Sequence, residues 1–355
     1  MSKPVLGDFT DGRKNNLDTL RLMAAMLVVF SHSFVITGAG YLEPPFYQNN
    51  YGAMGVNIFF IISGFLITQS FLRTDGILRY LWSRFLRIFP ALFIVVPATV
   101  FILGPLLTEL PLSEYFASSE TYSYLSNMTL YAVNYYLPGV FESNPFDTRI
   151  NAPLWTLEYE FTFYLVIILL GISGALKKRR LILGIFLLCL VLNYFNIGRS
   201  IDLYTLNVFH TIRFFTYFSA GMAAYLYRDS IPLNGRFCLL ILVFLVIAAF
   251  RTGFSDTIFI FLLCYLVLYL GYAPKVKLGW LTRYGDFSYG IYIWAWPVQQ
   301  TVFHLFNNEM NGWLNLLIAG STAVVLGAVS WHLIEKRMLK LKNISFNKIF
   351  IRQGS

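Results

Sequence analysis

The stretch RLMAAMLVVFSHSF, residues 21–34, decides the fold. It is apolar enough to open a membrane-spanning helix, yet it carries Arg21 at one end and His32 near the other. Ionisable side chains inside a span are costly and face a cavity or a partner rather than lipid. Eleven residues of helix separate the two, a distance of roughly 16 Å at the helical rise. The segment therefore predicts a spanning helix with a polar group toward each membrane face.

Composition extends that expectation to the whole chain. The 355 residues are 57% hydrophobic and 13% charged, with mean hydropathy +0.61, where a soluble domain carries about 25% charge. Spans of roughly 20 apolar residues are predicted near 18–38, 51–72, 88–107, 154–176, 181–197, 205–227, 237–250, 255–273, 284–305 and 313–335. RTGFSD, 251–256, interrupts the run between spans seven and eight, and span seven is short. The net charge of +9 does not form one patch, so no nucleic-acid partner is expected; the basic residues lie in short clusters between apolar runs. With the N-terminus cytoplasmic, 22 of the 27 Lys and Arg fall on the cytoplasmic side. Arg149, Arg199 and Arg251 fall in outer loops, and Arg21 and Arg213 inside spans. This asymmetry predicts an all-α polytopic membrane protein of about ten helices, both termini cytoplasmic, in one membrane domain over 1–355. The first apolar run follows a polar leader and is too long for a signal peptide, so it is expected to stay uncleaved. Cys189, Cys238 and Cys264 lie in apolar runs without metal or disulfide spacing and read as packing residues. The outer loop 108–153 is long, acidic and rich in Tyr and Asn. It suits either a carbohydrate surface or an ordered plug over the helices.

Several spans place polar residues at one depth. His32 lies six residues from the outer end of span one, about 9 Å deep. Asn57 and Glu160 lie six residues into spans two and four, and His210 and Arg213 five and eight residues into span six, all counted from outside. A shared polar pocket is the expectation. A second cluster lies at the inner face, where Arg21 is joined by Arg84 and Arg87 of SRFLRIFP, 83–90. Their spacing of three puts both on one helix face, and Arg suits bidentate recognition of phosphate.

These residues carry a resemblance. Arg21, ten residues, then His32 is similar to the R-x10-H signature of the acyltransferase 3 family. GVNIFFIISGFLIT, 55–68, resembles that family's second-span motif, and SRFLRIFP its R-x-x-R motif. PLWTLEYEFTFYL, 153–165, resembles W-S-L-x-x-E-x-x-F-Y-L, and GDFSYGIYIWAWPVQQ, 285–300, resembles the late S-Y-x-x-Y-x-W-x-x-P-V motif. The five motifs occur in family order from residue 17 to about 300. The resemblance implies transfer of an acyl group, usually acetyl, from acetyl-CoA to a hydroxyl of an envelope glycan such as O-antigen, lipopolysaccharide or exopolysaccharide, free or lipid-linked. It implies a bacterial cytoplasmic (inner) membrane enzyme without a metal, with His32 catalytic, Arg21, Arg84 and Arg87 on the donor side, and Glu160 at the family's acidic position. Two departures stand out: Asn57 where many members have Asp, and Ala295 where many have His. Glu160 then becomes the carboxylate expected to orient His32. The chain ends about twenty residues beyond span ten, so transfer is expected to be completed by the membrane domain or a separate partner.

Together these predict a conduit. Arg21, Arg84 and Arg87 would hold the coenzyme A phosphates, and the thioester would reach His32 as general base or acyl relay. His210, Arg213 and Asn57 would serve the acceptor or the developing oxyanion. The competing class is a proton-coupled transporter, which also places Arg, His and Glu inside helices. No halves of the chain match each other as transporter repeats often do. Besides membrane lipid, a homodimer is a candidate association, though no clear G-x-x-x-G signal is present.

Overall fold

The computed structural model describes residues 4–12, 15–44, 50–249 and 256–343. Lys3, Arg13, Lys14, Arg251, Lys348 and Arg352, which enter the charge asymmetry, and most of RTGFSD lie outside them. The fold is mostly helical. Its long helices are α1 Leu17–Ile36, α2 Tyr51–Arg73, α3 Ile77–Leu107 and α4 Ala152–Ile172. They continue with α5 Arg179–Tyr194, α6 Val208–Leu226, α7 Gly235–Ala249, α8 Asp256–Tyr272, α9 Ser288–Leu305 and α10 Gly312–Lys342. Five of these, α1, α2, α3, α4 and α10, are long and apolar enough to cross a membrane. The strands among the described residues are a two-residue hairpin, Asp202–Leu203 with Leu206–Asn207.

Several helix starts are fixed by asparagine caps, which satisfy the unpaired N–H groups of a first turn. The Asn50 side chain accepts from Ala53 N at 2.7 Å and Asn311 from Leu314 N at 2.8 Å. Asn207 accepts from His210 N at 3.2 Å, so the first turn of α6 delivers His210. Helix α3 begins at Ile77, well before the expected start at 88, because the basic segment continues the helix through Pro90 and Pro97.

Packing around α2 is backbone-close. A Cβ on Gly55 would fall 2.4 Å from the Ala24 carbonyl oxygen of α1. A Cβ on Gly64 would fall 1.9 Å from the Phe218 carbonyl oxygen of α6, and one on Gly221 2.2 Å from that of Ile61. Glycine at such crossings lets apolar helices gain contact where lipid offers no hydrophobic drive. On its other side α1 runs alongside α9: Gln299 Nε2 donates to the Val29 carbonyl at 2.8 Å and to Ser33 Oγ at 2.7 Å.

The loop after α3 is an ordered cover. Tyr115 and Tyr124 are fully buried, and the Tyr115 hydroxyl donates to the Val100 carbonyl at 2.8 Å. Its asparagines hold the loop itself: Asn127 Nδ2 donates to the carbonyls of Tyr124 and Asn134 at 2.8 and 2.9 Å. The plug expectation holds for these side chains.

Candidate functional site

A cavity of about 270 Å³ lies between α1, α2, α4, α6 and α9 under the loop. His32, His210 and Arg213 line it together, so three of the residues expected at one depth do meet. The Trp296 ring packs edge-on against His32, 4.7 Å between centroids. Among the described residues, His32 Nδ1 is buried without a hydrogen-bond partner, and so is His210 Nδ1. His210 packs edge-on against Trp155 at 5.1 Å. Both aromatics line the cavity, with Tyr292.

The roof is Arg149, of the loop 108–153, which motif reasoning passed over. Its guanidinium lies 5.4 Å over the Trp296 ring and is paired with Asp147, Nε donating to Oδ1 at 2.9 Å. That hydrogen bond raises the Arg149 pKa further above its usual range, so the cation is permanent. Helix α9 locks the loop in place. Trp296 Nε1 donates to the Arg149 carbonyl at 2.8 Å, and Gln300 Nε2 to the Asp147 carbonyl at 2.7 Å. Asn144 Nδ2 donates to Gln300 Oε1 at 2.5 Å. Among the described residues, Arg149 and Asp147 lie within electrostatic range of His32. The available signal was scarcity, since few basic residues were assigned to outer loops.

Glu160 is elsewhere. It accepts from Ser63 Oγ at 3.3 Å and from the Tyr164 hydroxyl at 2.5 Å. It lines a narrower chamber, of about 40 Å³, together with Arg21 and Tyr289. The expected pairing of Glu160 with His32 is not made: the glutamate lies about a turn deeper along α4 than Thr156, which lines the His32 cavity. The two chambers share walls at Val56, Thr156 and Tyr292, where the Thr156 and Tyr292 hydroxyls are 2.5 Å apart. Asn57 is buried on α2, both polar atoms of its side chain lacking a partner among the described residues.

The arginines expected at the inner face divide. Arg21 Nη1 and Arg87 Nη2 both donate to Oδ2 of buried Asp286, at 2.6 and 2.5 Å. Asp286 also accepts from the amide and hydroxyl of Ser288. Buried Glu335, held by Ser330 Oγ at 2.8 Å, lies within electrostatic range of Arg87. Arg84 turns away from Arg87 and lies against the Tyr80 and Tyr164 rings, 5.8 and 5.7 Å from their centroids. It has no carboxylate partner among the described residues. Asp286 was missed although it stands in the late motif; an acid beside an arginine-rich face was the signal.

An arginine and a histidine eleven residues apart on α1, each at its own chamber, is the arrangement against which comparison with known proteins can be set. The acyltransferase domain family matches residues 14–332. The chain belongs to that family. It is 31% identical to the "O-acetyl transferase" of Shigella phage Sf6 over 92% of this chain and 96% of that one. It is also 31% identical to "Nodulation protein 10" of Rhizobium leguminosarum bv. viciae, over 94% and 96% of the two chains. A "Putative acetyltransferase ORF330" of Acidianus two-tailed virus is 26% identical over 77% and 78%. No solved structure matches. The protein is an acyltransferase enzyme, and its apolar helices make this acyltransferase an integral membrane protein.

Proposed function

We propose that this acyltransferase moves an acetyl group from acetyl-CoA at the cytoplasmic face of a bacterial inner membrane to a hydroxyl of an envelope glycan, O-antigen or exopolysaccharide in class, free or lipid-linked. In this reading α1–α10 are ten spans with cytoplasmic termini, which the charge asymmetry supports. The observation that carries the proposal is the adjacency of the two chambers: Val56, Thr156 and Tyr292 wall both the Arg21–Glu160 chamber and the His32 cavity. The relatives named as acetyltransferases support acetyl as the group moved.

The residues fit the donor unevenly. Arg84 is uncommitted to a carboxylate and suits a phosphate. Arg21 and Arg87 share Asp286 and together retain one net positive charge. In the outer cavity, His32 takes the proton of the acceptor hydroxyl as its oxygen attacks the thioester carbonyl carbon. Arg149 and Arg213 face the oxyanion that forms. Collapse breaks the carbon–sulfur bond, and the proton passes from His32 to the departing thiolate. Trp155, Trp296 and Tyr292 line the cavity where the sugar binds in this reading. Relay through an acyl-His32 is the other route; it alone releases free thiol in a burst before acceptor is added.

The test is thiol release from acetyl-CoA by the purified protein in liposomes, with glycan acceptor, for wild type and His32→Ala. Release that depends on His32 is expected. Turnover retained by a folded His32→Ala protein would overturn the assignment.

A further inference from the structure

A second, apolar groove of about 300 Å³ runs between α5, α6 and α8. Helices α5 and α8 both pack on α6, where Ala220, Ala223 and Ala224 make the floor and leave the space between them open. Phe186 of α5 and Phe261 of α8 meet edge-on, 5.3 Å between centroids, and bound one end. At the other end Tyr227 lines the groove beneath the Arg179 guanidinium, 5.2 Å from the ring centroid.

We infer that this groove is a binding site for an anionic phospholipid, one acyl chain lying along the alanine floor and the headgroup phosphate meeting Arg179. The apolar walls fit a hydrocarbon chain and give a sugar or nucleotide little to bond. The charge at the mouth decides which lipid. Lys177, Lys178, Arg179 and Arg180 are consecutive and exposed, and Arg228 follows Tyr227 directly. Arg179 has no carboxylate partner among the described residues, so its fork is open to a phosphate. This site is separate from the His32 cavity and does not depend on the chemistry proposed there.

The test is native mass spectrometry of the purified full chain released from detergent, with phosphatidylglycerol or phosphatidylcholine of identical acyl chains. Phosphatidylglycerol is expected to be retained about fivefold better, the effect of one interfacial basic residue. Arg179→Gln, at an exposed position, is expected to bring the ratio to about one. Ala223→Phe fills the floor and is expected to strip the bound lipid; Leu268→Trp, from the α8 wall, makes the same test should the first variant fail to fold. Equal retention of the two lipids by wild type would overturn the inference. So would a phosphatidylglycerol preference that survives groove filling, which would reduce the effect to surface charge. Displacement of phosphatidylglycerol by equimolar polyprenyl phosphate would reassign the groove to an acceptor carrier.

Discussion

The two polar ends of α1 are built on opposite terms. At the Arg21 end the guanidinia of Arg21 and Arg87 are answered by Asp286, which is answered again by Ser288. At the His32 end two imidazoles line an open cavity, each with a ring nitrogen left without a partner among the described residues. Buried polar groups left unsatisfied are retained only against a cost. Two such groups facing one cavity mark a place kept ready for something else to bond. The satisfied end is a fastening between α1, α3 and the start of α9. Substitutions at the first end should therefore be felt in stability, and substitutions at the second in turnover.

The sharpest break of that contrast is His32→Ala. Turnover is expected to fall about 10²- to 10⁴-fold, with the unfolding temperature in detergent unchanged; a protein that melts early instead would make His32 a fastening too. Asp286→Ala leaves two guanidinia without their carboxylate and is expected to cost about 3–5 kcal/mol, read by thermal or denaturant unfolding. Unchanged stability with lost turnover would move the inner cluster into the chemistry. Arg149→Met is expected to lower kcat about 100-fold while KM for acetyl-CoA stays put, with Arg149→Lys partly restoring it; a change confined to KM would make Arg149 a binding group only. Least is expected of Tyr292→Phe, which removes the hydroxyl facing Thr156 at a cost of about 1 kcal/mol. Comparing its thiol release with and without acceptor tests whether that pair closes the wall between the two chambers.

Much of this was legible in the chain. Hydropathy and charge asymmetry predict helices where α1, α2, α4 and α10 stand, because a membrane span is written as a long local run. Counting residues from the outer side brought His32, His210 and Arg213 to one cavity because rise per residue is nearly constant. The same ruler failed for Glu160, because α4 starts at Ala152, earlier than expected, and carries the glutamate about a turn past the cavity wall at Thr156. The pairing of Arg21 and Arg87 on Asp286 joins residues separated by 265 and 199 positions, and no local pattern encodes that. Arg149 was passed over for a related reason. Its place above Trp296 is set by Gln300 and Asn144, whose partners lie about 150 residues away.

The glycine crossings of α2 bear on how the enzyme opens. Where Gly55 meets Ala24 and Gly64 meets Phe218, backbone touches backbone with no layer of side chains between. Interfaces of that kind do not slide, since any shift drives peptide groups into one another. Helices α1, α2 and α6 therefore travel as one rigid keel. Whatever lets a bulky reactant in must then move α4 and the loop, not these crossings.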